Sequence, residues 1–309
     1  MRKAFVEAIS EILDTNEKAL LLIGDIGAYL LKDVTAKHPN RVINMGIAEA
    51  GMMSAAVGLA LEGWIPFVYT ITPFVTARAY DQIRAGVGYH EANVKIVGVG
   101  SGLSYSALGG THHSIEDIAI MRSIPGMTII SPSDGPETIE ATKSIAKHVG
   151  PTYLRLMLNV PLLEVKKRKP FKIGNAEKLS KGKDITIIAT GELVREALEV
   201  KDMLVKDKIS TSVINMSTIK PIDRKTIENV MDESPIIFTL EEHNIIGGLG
   251  SAVAEVISES KLKSKPRLVR LGIQDKFTNK YGHKNELYEY LNLDAKSLYK
   301  RVKKEIKNG

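Results

Sequence analysis

Asn44-Met45-Gly46-Ile47-Ala48-Glu49-Ala50-Gly51-Met52-Met53-Ser54-Ala55-Ala56-Val57-Gly58-Leu59-Ala60 is the segment on which the reading of this chain turns. A strand running up to Asn44 meets Gly46, the residue that takes a tight turn most cheaply, and a helix follows. That helix is so rich in Ala, Gly and Ser that another backbone can approach it closely. Glu49 falls in its first turn. A carboxylate there complements the helix dipole, which is the ordinary reading of an isolated Glu. Here the helix is apolar on nearly every face, so the sequence predicts a buried carboxylate whose pKa desolvation raises, in need of a proton-sharing partner.

Upstream, residues 2–13 place Phe5, Ile9, Ile12 and Leu13 on one helical face, and Ala19-Leu20-Leu21-Leu22-Ile23 reads as a buried strand ending at Gly24-Asp25. Such a strand end suits a ligand. Further strands are expected near 41–45, 65–70, 94–99, 127–130 and 152–156, with helices near 47–62, 77–88, 114–122 and 135–147. This alternation predicts an α/β domain over 1–160, a parallel sheet flanked by helices. Residues 161–172, including Lys166-Lys167-Arg168-Lys169, lack periodicity and read as a linker. Residues 173–309 form a smaller α/β domain, with strands near 184–190, 210–215, 235–240 and 266–271 and helices near 192–205, 223–232, 249–258 and 294–307.

A length of 309 residues accommodates two such domains, and 44% apolar with 25% charged residues is ordinary globular composition. The net charge of +6 is carried by lysines such as Lys261, Lys263, Lys265, Lys303, Lys304 and Lys307. No nucleic-acid-binding motif accompanies them, so a solvated face is the expectation and nucleic acid is not an expected partner. The absence of cysteine excludes disulfides, thiolate metal sites and cysteine nucleophiles. Met1-Arg2-Lys3-Ala4-Phe5 is not followed by a signal-type apolar region, and no run nears the roughly eighteen apolar residues of a membrane span. The expectation is a cytoplasmic protein without a membrane partner.

The opening segment resembles the pyrimidine-binding motif of transketolases and of deoxyxylulose-5-phosphate synthase. The resemblance continues through Tyr80-Asp81-Gln82-Ile83-Arg84, Thr111-His112-His113-Ser114-Ile115-Glu116-Asp117, Arg122-Ser123-Ile124-Pro125 and Ser131-Pro132-Ser133-Asp134-Gly135. In the second domain it takes in Thr218-Ile219-Lys220-Pro221-Ile222-Asp223 and Glu241-Glu242-His243-Asn244 followed by Gly247-Gly248-Leu249-Gly250. It implies a thiamine-diphosphate pyrimidine-binding domain joined to a transketolase-type carboxyl-terminal domain.

By this resemblance, Glu49 hydrogen-bonds the aminopyrimidine of thiamine diphosphate and favours the imino tautomer that takes the thiazolium proton. Phe74, in Thr72-Pro73-Phe74-Val75-Thr76, would stack on the pyrimidine. Counting back from Arg84 without a gap puts Val75 there instead, so Phe74 needs a one-residue adjustment and otherwise belongs to the core. Asp25 and Ile26 resemble a loop lining the thiazolium, with a plain turn as the other reading. His112 matches a histidine that faces substrate and assists proton transfer, ahead of His113. Glu116 and Asp117, after Ser114, are expected to cap the next helix.

The match fails where sugar phosphates are held. The family's phosphate arginine falls on Met157 or Leu158, its hydroxyl-binding aspartate on Leu108, a substrate histidine near Gly100 and a phosphate serine near Tyr29. Arg2 alone remains as a phosphate-facing match. An apolar side chain cannot replace a bidentate guanidinium, so a substrate handled otherwise than in pentose-phosphate transketolase is expected: a different sugar, or one whose anion is bound elsewhere. The Gly-Asp-Gly and Asn pattern for Mg²⁺ and diphosphate is also missing; Gly24-Asp25-Ile26-Gly27 does not supply it. The resemblance therefore implies a split enzyme in an α2β2 heterotetramer, with Mg²⁺ and diphosphate on an amino-terminal partner chain. Its rivals are a deoxyxylulose-5-phosphate synthase portion, a 2-oxo acid dehydrogenase beta subunit and a non-catalytic relic.

Overall fold

The computed structural model describes residues 1–165, 168–262 and 265–308. Lys166 and Lys167 of the expected linker, and Lys263 of the basic carboxyl end, lie outside the described residues. The first unit runs α1 (Arg2–Thr15), β1 (Ala19–Ile23), α2 (Ala28–Lys37), β2 (Val42–Asn44), α3 (Glu49–Leu61), β3 (Ile65–Ile71), β4 (Lys95–Val99), α4 (Asp117–Arg122), β5 (Thr128–Ile130), α5 (Gly135–Lys147) and β6 (Thr152–Leu156). Its sheet is parallel in the order β5-β6-β4-β3-β1-β2. Successive side chains of β1 explain the continuous apolar run. Ala19, Leu21 and Ile23 pack under α1 and α5, while Leu20 and Leu22 pack with Met52 and Met53 of α3 on the other face.

The second unit comprises β7 (Glu177–Ser180), β8 (Ile185–Ala189), α6 (Leu193–Lys206), β9 (Thr211–Asn215), β10 (Thr218–Lys220), α7 (Arg224–Glu233), β11 (Ile236–Asn244), α8 (Leu249–Glu259), β12 (Arg267–Ile273), α9 (Lys284–Leu291) and α10 (Ala295–Lys307). The sheet order is β12-β11-β8-β9-β7, parallel except for the β7 edge. Among the described residues no helix is long and apolar enough to cross a membrane.

Four features depart from the sequence reading. Helices α2 and α9 were not expected; α2 is short, buries only Leu31 and Val34, and starts behind Gly27 at φ 74°. The helix expected over 77–88 is two π-helical stretches, Phe74–Arg78 and Gln82–Gly88. Asp117 does not cap a helix: α4 begins behind Glu116, whose carboxylate accepts from Ile115 N at 2.9 Å, and Asp117 is fully buried against Arg155. Finally, β10 leaves its own sheet and pairs antiparallel with β5, extending the first sheet to seven strands.

The seam between the units is polar and buried. Arg155 of β6, 1% exposed, donates from Nε to Asp117 Oδ2 at 2.7 Å and from Nη2 to the Glu242 carbonyl of β11 at 3.0 Å. Leu103 N donates to Glu242 Oε1 at 2.6 Å, and Asn215 Nδ2 of β9 donates to Glu137 Oε1 at 2.9 Å. Each buried charge thus has its partner on another element.

Gly247-Gly248-Leu249-Gly250 is a turn into α8. Buried Glu241 accepts from Leu249 N at 2.6 Å and Gly250 N at 2.8 Å, occupying the helix N-terminus that an anionic ligand would need. A Cβ on Gly248 would collide with Glu241 Oε2 and stand 2.7 Å from His243 Nδ1. Gly248→Ala is therefore expected to cost about 2–3 kcal/mol through overpacking and a disturbed cap. Urea unfolding checks this; a midpoint unchanged from wild type would contradict it.

Candidate active site

The carboxyl ends of the parallel strands collect the functional side chains on one edge of the first sheet. Asn44, at the end of β2, ties that edge together: its Nδ2 donates to Asp25 Oδ1 at 2.9 Å, and its Oδ1 accepts from Asp25 N at 3.2 Å and Gly46 N at 3.0 Å. Gly46, at φ 71°, then turns the chain into α3. Glu49 opens that helix and is 2% exposed, as its apolar surroundings predict. Further along α3, Gly51 and Gly58 would meet nothing within 4 Å among the described residues if given a Cβ, so this side of α3 is open to a neighbour.

The buried carboxylate has a partner that the sequence reading missed. Arg78 Nη1 donates to Glu49 Oε2 at 2.8 Å, and the same guanidinium carbon lies 4.1 Å from the centroid of the Phe74 ring. Both residues sit on the first π-helical stretch. A π turn holds one more residue than an α turn. Phe74 is half-buried with its ring towards Arg78, whereas Val75 is 0% exposed in the core. Arg78 follows Phe74 by four residues, a spacing that could have revealed the pair.

His112 continues the line. Its ring stands 5.2 Å from that of Phe74 at 68° and 5.9 Å from that of Tyr105 at 70°, and its Nδ1 is 3.0 Å from Thr111 Oγ1. Tyr105, another residue the sequence reading missed, is raised in pKa by burial against the opposing influence of Arg2. Arg2 is half-buried, donating from Nε to the Tyr69 hydroxyl at 3.2 Å. His113 turns inward instead, 4% exposed, with Nε2 at 3.4 Å from the Ser106 carbonyl. Burial holds His113 below the ordinary histidine range.

The edge thus brings Glu49, Arg78, Phe74, His112 and Tyr105 into one string, with Arg2 beyond it. Asp25 is solvent-exposed at φ 53° and engaged with Asn44, and Ile26 packs on the core beneath α1. A planar donor between Glu49 and Phe74 can be stacked and hydrogen-bonded at once, with a histidine next to it for proton transfer.

Residues 1–160 match the family model for the transketolase pyrimidine-binding domain, and residues 174–298 match that for the transketolase C-terminal domain. The chain belongs to the transketolase family. It is 40% identical to a "Putative transketolase C-terminal section" of Methanocaldococcus jannaschii, covering 99% of this chain and 96% of that protein. It is 36% identical to "6-deoxy-6-sulfo-D-fructose transketolase subunit SqwH" of a Clostridium species, covering 96% and 92%. A solved structure described as "Split gene transketolase, inactive beta4 tetramer" superposes with a TM-score of 0.88 at 36% identity, over 99% of this chain and 97% of that one. The correspondence is therefore to separate carboxyl-terminal chains of split transketolases, nearly end to end.

Proposed function

We propose that this chain is the cofactor-activating subunit of a split, thiamine-diphosphate-dependent transketolase of the cytoplasm, moving a two-carbon ketol unit from a ketose to an aldose. The observation that carries the reading is a carboxylate with 2% exposure lying beside a half-buried phenylalanine ring and bridged to it by one planar cation. The fit to an aminopyrimidine is chemical: the guanidinium now between them is flat, donates N–H to Glu49 and lies over the Phe74 ring, where the pyrimidine would stack. When bound, the coenzyme supplies an acidic thiazolium carbon and an electron sink for the ketol unit. Glu49 would hold and return a proton at the pyrimidine ring, Phe74 would orient that ring, and Asp25 and Ile26 would border the thiazolium. His112 exchanges protons with substrate oxygens; His113 buttresses its loop.

Diphosphate and Mg²⁺ fall to an amino-terminal partner in an α2β2 assembly. The related split gene transketolase solved as a beta4 tetramer is described as inactive, which supports that division. The open side of α3, with Gly51 and Gly58 outermost, is where we place a neighbouring subunit.

The sugar is a departure from pentose phosphates. By the family resemblance Met157 or Leu158, and Leu108, fall where cationic and carboxylate contacts would be needed, and Arg2 is engaged with Tyr69. A split relative named for a sulfonated fructose supports substrate variety among such subunits. With the amino-terminal chain added, turnover of xylulose 5-phosphate with ribose 5-phosphate is expected to fall at least tenfold below that of the best ketose in a panel of unphosphorylated and otherwise substituted ketoses. Full-rate turnover of the pentose phosphates would sink the substrate reading, and no thiamine-dependent turnover of any ketose would sink the enzymatic one.

A further inference from the structure

We infer that Arg78 is an internal stand-in for the coenzyme's pyrimidine, so that the chain closes its own cofactor face and must release Arg78 before that face can be used. The inference rests on the cofactor reading given above. Its ground is mutual exclusion. The guanidinium lies 4.1 Å from the Phe74 centroid and donates to Glu49 at 2.8 Å, so the two groups proposed to hold the heterocycle are both engaged by one side chain. A second planar group that stacks on the same face of the ring and hydrogen-bonds the same carboxylate oxygen requires the first to leave.

The build of Arg78 suits a removable group. Its side chain is 47% exposed although the carboxylate it pairs with is 2% exposed, and among the described residues its hydrogen bond to Glu49 is its only one. It can turn into water without opening the core, because the buried residues of its turn are Val75 and Thr76. The cost of release is one charge-assisted hydrogen bond and one partly exposed cation–π contact, both weakened by solvent. A chain spared that cost binds more tightly, since binding to a closed site is diminished by the fraction of molecules that are closed.

Calorimetric titration of thiamine diphosphate with Mg²⁺ into this chain mixed with its amino-terminal partner tests the inference without reference to turnover. Arg78→Ala is expected to tighten binding about tenfold, and Arg78→Lys, which pairs with Glu49 but cannot stack as a plane, about threefold. Thermal melts check that both variants stay folded; if Arg78→Ala does not, the Lys variant decides. Wild-type binding with equal or weaker binding by the variants overturns this inference alone, because Arg78 would then be neutral or a cofactor contact. Absence of binding by every form, wild type included, overturns the cofactor reading and this inference with it.

Discussion

Glu49→Gln, combined with the amino-terminal chain, is expected to lose ketol transfer by about 10²- to 10⁴-fold, the range that positioned acid–base groups contribute. Glutamine keeps the shape of the side chain and an oxygen to accept from Arg78, so packing at the start of α3 survives. What disappears is the proton that a carboxyl group can take up and give back. The Arg78 half of the pair is 47% exposed, which limits the stability at stake. Steady-state rates with thermal melts read the two effects separately. A variant that melts like wild type but barely turns over fits the assignment; one retaining more than a tenth of wild-type activity removes Glu49 from the chemistry.

The largest effect on stability is expected at the seam. Asp117→Asn takes from Arg155 the carboxylate it pairs with inside the protein, where both side chains are at most 1% exposed. Breaking such a pair costs about 3–5 kcal/mol. Burial pushes the Asp117 carboxyl upward, but the Arg155 guanidinium, His243 and the Tyr153 hydroxyl together outweigh that and hold it below the ordinary aspartate range. A carboxyl group depressed by folding stabilises fully above its unfolded pKa of about 3.9 and ceases to do so as pH falls through the folded value. Denaturant unfolding from pH 7 to pH 3 should therefore show wild type converging on Asp117→Asn only at the acid end. A constant gap across that range would show that the ion pair is not the source.

The parallel architecture was legible because β1 is apolar at every position and the helices around it carry one-sided stripes; period and burial coincide there. Glu49 was legible for a related reason, a lone charge in a segment with no polar face to put it on. The π-helical stretch was not, because its signature is one extra residue in a helical turn, and nothing in the composition of Phe74–Arg78 distinguishes that from an α turn. The place of Arg78 on that stretch was hidden with it, and only its four-residue spacing from Phe74 was there to be read. Asp117 was misread for a local reason: it follows Ser114 as a capping residue would, but its partner Arg155 lies 38 positions away and only the sheet brings them together. Strands β7 and β10 are short antiparallel additions at sheet edges, without the long apolar runs that mark buried parallel strands.

One of those additions changes what counts as a unit of this molecule. Because Thr218–Lys220 is lent back across the seam to lie on β5, the flank of the first sheet is finished by residues that come long after the covalent joint between the halves. A cut at that joint would strip a strand from the amino-terminal piece and bare the backbone of β5, the kind of open margin at which chains adhere to one another. Transplanting the carboxyl-terminal half onto another scaffold would carry off the same hem. The two halves are tailored as one garment, whatever the length of thread between them.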